Sequence, residues 1–160
     1  MGGGGSVWGQ AIEFLIIRVL ARLFPNRYRV IPRVQDGAPL LRQFKICRWA
    51  YLQSFVNVEH PDWFHVHRWQ RMISFVLSGR FREERYPGSL ARFFKTHSAP
   101  SVYMMDRSVM HRLDAADPCT WTLFFMFGDR KAWGYFPRPS SVDYVPWDQF
   151  IPEERKVRSL

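Results

Sequence analysis

Cysteine is scarce: Cys47 and Cys119 are the only two in 160 residues, and they form no C-x-x-C pair. A disulfide-framed domain, a zinc ribbon and a thioredoxin-type redox pair are therefore excluded, and both thiols read as reduced and buried. Long uncharged apolar runs are also lacking. The most apolar stretch, 7–24, carries Glu13, Arg18 and Arg22, where a membrane-crossing helix needs about 20 nearly uncharged residues. It has neither the basic start nor the A-x-A site of a secretory signal. Glycine-rich phosphate loops, nucleophile elbows and paired catalytic carboxylates are absent, which removes the commonest nucleotide-binding and hydrolytic site types. No run of five or more basic residues occurs, so the clustered footprint of a dedicated nucleic-acid binder is missing.

Aromatics are abundant. Fourteen Phe, seven Trp and six Tyr make up 17% of the chain, and 47% of it is hydrophobic. That composition excludes a disordered chain and favours a β-rich fold, because aromatic rings pack well on pleated surfaces. The length suits one domain with a core of its own. Basic residues outnumber acidic ones, 23 to 14, for a net charge of +9. An excess of this sign favours an anionic partner: nucleic acid, a phosphorylated small molecule or a membrane surface. Scattered as it is, it also reads as a solvated basic surface.

Residues 1–6 are a glycine-rich flexible leader. The spacing of Trp8, Ile12, Leu15, Val19 and Leu23 predicts an amphipathic helix over 7–24 with these residues on one buried or partner-facing stripe. Pro25 and Asn26 end it, giving an N-terminal helical unit at 7–26. From 27 to 150 short apolar or alternating runs are punctuated by Pro, Gly, Asn and Asp, the pattern of a sandwich or barrel. Strands are predicted at 28–32, 41–48, 51–58, 72–77, 81–86, 102–105, 109–113, 120–127 and 131–136. Ser78-Gly79 predicts a hairpin joining the strands around it, and Gly128-Asp129 predicts another. Residues 151–160 form a charged tail.

Five histidines remain: His60, His65, His67, His97 and His111. His60 and His97 read as loop residues. His65 and His67 form an H-x-H pair, which on a strand points both rings to one face. Two imidazoles on one concave face reach one metal ion, and a third from a neighbouring strand completes a facial set with open positions.

On these residues the chain resembles the cupin superfamily, whose first motif is G-x5-H-x-H-x3,4-E-x6-G. His65-Val66-His67 matches the H-x-H, and Gly79 stands where the closing glycine belongs. His111 matches the histidine of the second motif, G-x5-P-x-G-x2-H-x3-N. The stretch from Tyr51 to Phe150 is similar to a group of small cupin-like proteins of bacteria and phages, through Met72 to Gly79, His111-Arg112, Pro118 to Leu123 and Arg130 to Tyr135. Departures occur as well. Met72 occupies the glutamate position of the first motif and Glu59 its glycine, while Asp106, Ser108 and Ala115 replace the Pro, Gly and Asn of the second.

The resemblance implies a mainly β protein, a single cupin-type β-barrel (jelly roll) behind an N-terminal amphipathic helix. It implies a pocket in which His65, His67 and His111 hold a divalent transition metal, Fe, Ni, Cu or Zn, with Met72 beside them. Arg82, Glu84, Arg112 and Trp121 are the candidate substrate-binding residues, either Glu83 or Glu84 facing the pocket by strand alternation. Trp121 and Trp133 fill the barrel or stack on a ligand. Three functional readings stay open: a metal-dependent small-molecule enzyme, of oxygenase or isomerase type, acting on an anionic substrate; a non-catalytic cupin binding a small anionic ligand or a protein; and a nucleic-acid-associated accessory protein. A cytoplasmic location is expected, and a homo-oligomer is compatible with every reading.

Overall fold

The computed structural model describes residues 7–33, 37–58, 63–86, 92–131, 134–136 and 145–146, with side chains from Leu15 onward. The leader, the charged tail, His60, Trp133 and the side chains of Trp8 and Ile12 lie outside the described residues.

Helix α1 (Val7–Leu23) leads through a 3-10 turn (Pro25–Arg27) into twelve described strands. In order these are β1 (Tyr28–Pro32), β2 (Pro39–Cys47), β3 (Ala50–Phe55), β4 (Phe64–His65), β5 (Trp69–Ser78), β6 (Arg80–Tyr86), β7 (Phe93–Ser98), β8 (Ser101–Asp106), β9 (Met110–Ala116), β10 (Trp121–Arg130), β11 (Gly134–Phe136) and β12 (Val145–Pro146). They form two antiparallel sheets, ordered β1-β2-β3-β10-β5-β8 and β12-β11-β4-β9-β6-β7. The expected mainly β, jelly-roll architecture is present. Among the described residues no ladder joins the sheets, so the barrel is two sheets and not a closed cylinder.

Period-two alternation builds the interior. On β5, Met72, Ser74 and Val76 are buried while Phe75 and Leu77 face solvent. On β10, Thr122, Phe124 and Met126 point inward. One core cluster, Trp69, Met72, Met105, Phe124 and Met126, belongs to the first sheet. A second, Leu40, Val76, Phe81 and Leu113, takes side chains from both sheets and holds them together. The outer face of the first sheet leaves Phe75, Leu77, Val102 and Met104 exposed.

Both predicted hairpins are corrected. Strands β5 and β6 lie in different sheets, and Gly79 is the corner where the chain crosses between them. Its φ is +71°, and a Cβ there would stand 2.8 Å from Thr120 Cα, so glycine is required. Gly128 does not end a strand either. It sits inside β10 at a register irregularity between Phe127 and Arg130, while β11 pairs with β4 and β12 in the other sheet. A glycine of positive φ marks a sharp change of direction, but the dipeptide does not specify which sheet receives the next strand.

Helix α1 ends one residue earlier than predicted, and Leu15, Val19 and Leu23 of its expected stripe are exposed, so of the two alternatives for that stripe burial within the chain is removed and the partner-facing one stands. Ile17 is buried, and with Leu20 it borders a small gap that Phe44, Leu52 and Trp121 of the first sheet also line. Phe24 sets its ring edge-on against Phe44 at 5.8 Å. The expected burial of the thiols is also corrected, since Cys47 is exposed and Cys119 only half-buried, neither of them in a disulfide.

Candidate metal centre

The two halves of the H-x-H have different supports. His65 ends β4, directly opposite His111 on the adjacent strand β9. His67 lies past the end of β4, in the short crossing that carries the chain to β5 in the other sheet. The third histidine thus sits beside the first in one sheet, and the second is folded over them by the crossing.

The rings converge. Their centroids are 4.3 Å apart for His65 and His111, 4.8 Å for His67 and His111, and 5.1 Å for His65 and His67. One nitrogen from each lies within 4.8 Å of the others. An imidazole bound at about 2.1 Å holds its centroid about 3.2 Å from the ion. Three such centroids stand about 4.5 Å apart in a right-angled set and about 5.2 Å in a tetrahedral one, so the observed spacings fit one shared ion.

The electronic state of the rings fits too. His111 Nδ1 donates to Val109 O at 3.2 Å, leaving Nε2 as its free-electron-pair nitrogen. Desolvation, with the neighbouring His111, His65 and Arg85, holds His67 well below the usual imidazole range. It is therefore neutral at physiological pH, the form in which imidazole binds a metal.

These rings line a cavity of about 330 Å3 between the sheets, walled also by Phe124, Tyr103, Leu113 and Tyr135. Such a volume takes a small molecule. Met72 is 1% exposed and lies in register between Met105 and Met126, which line the cavity, but is not itself on the wall.

The structure brings none of Arg82, Glu84, Arg112 and Trp121 to the cavity wall. Arg82, Glu84 and Arg112 share the outer face of the second sheet. There Arg112 Nε donates to Glu84 Oε2 at 2.7 Å, and Arg82 Nε to Asp114 Oδ2 at 2.6 Å. Trp121 faces α1 beside Leu20.

The carboxylate on the wall is Glu83. It is 4% exposed, accepts from Arg85 Nε at 2.7 Å and lies 3.4 Å from His97 Nε2. Desolvation pushes its pKa up, but the His97 hydrogen bond and the charges of His111 and Arg85 outweigh this and bring it to about 2. His97 is corrected from loop to strand β7: it is 4% exposed and stacks on Phe81 at 4.9 Å and Tyr103 at 4.1 Å. Burial, reinforced by Glu83, pushes the Tyr103 phenol up, so it stays protonated.

Sequence reasoning also missed the polar wall of the first sheet. Gln43 and Lys45 on β2, with Tyr51 and Gln53 on β3, face the cavity. Their signal was present as polar residues at alternate positions shared with the inward Leu41 and Phe55.

No family model and no curated protein matches this chain. Solved structures do. The chain is similar to Fe(II)-HppE with the alternative substrate (S)-1-HPP, with a TM-score of 0.51, 13% identity, and coverage of 64% of this chain and 57% of that one. Hydroxypropylphosphonic acid epoxidase from S. wedmorenis matches at a TM-score of 0.49, 12% identity, over 64% of this chain and 56% of that one. The Drosophila melanogaster CENP-C cupin domain matches at 0.47, 12% identity, over 64% of this chain and 77% of that one. The chain thus spans under three-fifths of the epoxidase chains it resembles. The likeness is one of fold.

Proposed function

We propose that this protein is a metal-dependent enzyme acting on a small molecule in the cavity between its sheets. Its metal ligands in this reading are His65, His67 and His111. The observation that carries it is the convergence of three imidazoles at centroid spacings of 4.3, 4.8 and 5.1 Å on a cavity wall. Three imidazole nitrogen donors suit Fe(II), Ni(II), Cu(II) or Zn(II) better than Mg or Ca. The likeness of fold to an Fe(II)-containing protein supports iron among these. A bound ion supplies Lewis-acid polarisation and open positions for substrate or water. The chain's own groups do the rest. Val109 O orients His111, Glu83 stays ionised and so is no proton donor near neutrality, and Tyr103 stays protonated on the cavity wall.

Metal analysis of protein purified without added metal tests this reading, followed by equilibration with Fe(II), Co(II), Ni(II) and Zn(II). We expect one ion per chain in the parent. His65→Ala and His67→Ala should each lower the affinity by at least about a hundredfold, with unchanged circular dichroism. A parent that takes up no ion under any of these conditions removes the metal reading and leaves a non-catalytic binding module.

A further inference from the structure

Five cationic side chains, Arg29, Lys45, Arg48, Arg68 and Arg130, line the cavity against one carboxylate, Glu83. Glu83 is already engaged by Arg85 and His97. All five residues are exposed overall, although the Arg29 guanidinium is partly desolvated, and the histidines are less exposed, which sets the cations on the open side of the cavity. Among the described residues none of the five meets a carboxylate. Aromatic rings and one amide brace the arginines instead. The guanidinium carbons of Arg130 and Arg68 stand 4.3 and 5.9 Å from the centroid of the same ring, Trp69. That of Arg48 lies 3.6 Å from the Trp49 centroid. Arg29 is 5.3 Å from the Tyr51 ring, and its Nε donates to Gln43 Oε1 at 2.7 Å. Such contacts orient a guanidinium without neutralising it.

The charges sense one another. Desolvation, opposed by Tyr51 and reinforced by the positive charge of Arg68, draws Arg29 below its ordinary value. Imidazoles carry no negative charge in either protonation state, and an ion on them adds more positive charge. A concave rim of one sign concentrates counter-ions of the other.

We propose that this rim binds a doubly charged tetrahedral anion, so that the molecule entering the cavity is a small phosphate ester or phosphonate with its organic part directed toward the three histidines. This rests on the cavity's being the functional site, and it deepens that reading. A monocarboxylate would leave most of the rim uncompensated. The arginines come from β1, from the turn after β2, from the crossing before β5 and from the end of β10. Donors arriving from several segments suit three equivalent oxygens better than a flat carboxylate.

The test is calorimetric titration of the full chain with inorganic phosphate and, separately, succinate, at physiological ionic strength. Phosphate should bind the parent more tightly than succinate does. The double variant Arg68→Gln/Arg130→Gln should weaken phosphate by about tenfold or more, while Arg82→Gln on the outer face should leave it within about twofold. Thermal melting checks that each variant is folded. His67→Ala should lose metal yet keep phosphate, so failure of the metal centre is distinguishable from failure of the rim. Absence of phosphate binding, tighter binding of succinate, or unchanged binding in the folded double variant would each overturn the proposal.

Discussion

Glu83 and Glu84 adjoin on β6 and serve opposite faces, because successive strand side chains point apart. Alternation made it plain that one of them faces inward. Which one depended on the pairing of β6 with β9, where a register shift falls between Arg82 and Glu83. The inward carboxylate carries a pH signature. Its folded pKa of about 2 lies below the ordinary 4.5. Its stabilising contribution is therefore complete above about pH 4.5 and lost as pH falls toward 2. The loss should be on the order of 3 kcal/mol. Urea denaturation of the metal-free protein across this window should show the decline, and Glu83→Gln should flatten it. Parallel curves for parent and variant would refute the assignment. The same residue scale explains the histidines. The H-x-H spacing and the later histidine were legible because a ligand set is written in residue type. The role of His97 was not, since its contacts with Phe81 and Tyr103 bring together β6, β7 and β8, which are consecutive in the chain but divided between the two sheets.

The helix shows what an element reveals of itself and what it does not. Its extent was read to within one residue, because Pro25 stops it and the residues before it are strong apolar helix formers. The face it buries against the chain is not the predicted stripe, for which only the partner-facing alternative stands. The segment is apolar on more than one side, so periodicity offers two stripes, one through Leu15, Val19 and Leu23 and another through Ile17, Leu20 and Phe24. Only the first sheet, by presenting Phe44 and Leu52, selects the second. Ile17→Ala should accordingly cost about 2 kcal/mol in chemical denaturation. Leu15→Gln and Val19→Gln should each stay within about 0.5 kcal/mol. A larger loss at Leu15 than at Ile17 would show that the exposed stripe is covered in solution.

Across the whole molecule the net charge of +9 is divided between a solvated surface and the rim of one cavity. Binding to duplex DNA should therefore be weak, non-specific and steeply salt-dependent through counterion release. Mobility-shift titrations should show it disappearing by physiological salt, and tight binding that persists there with a sequence preference would restore the nucleic-acid reading. No described helix is long and apolar enough to cross a membrane, as the charges in 7–24 indicated. By itself the sequence determined the β-rich class, the leading helix, most strand positions and the identities of the three converging histidines. The first three follow from composition or from spacing within a few residues, as does the H-x-H pair, whereas His111 was assigned through the resemblance to the second cupin motif. Tertiary structure decided that Gly79 crosses between sheets, that Arg82, Glu84 and Arg112 face outward, and that Arg29, Arg48, Arg68 and Arg130 gather at one opening. Those outcomes depend on which remote strands pair and in what register, and no local period carries that information.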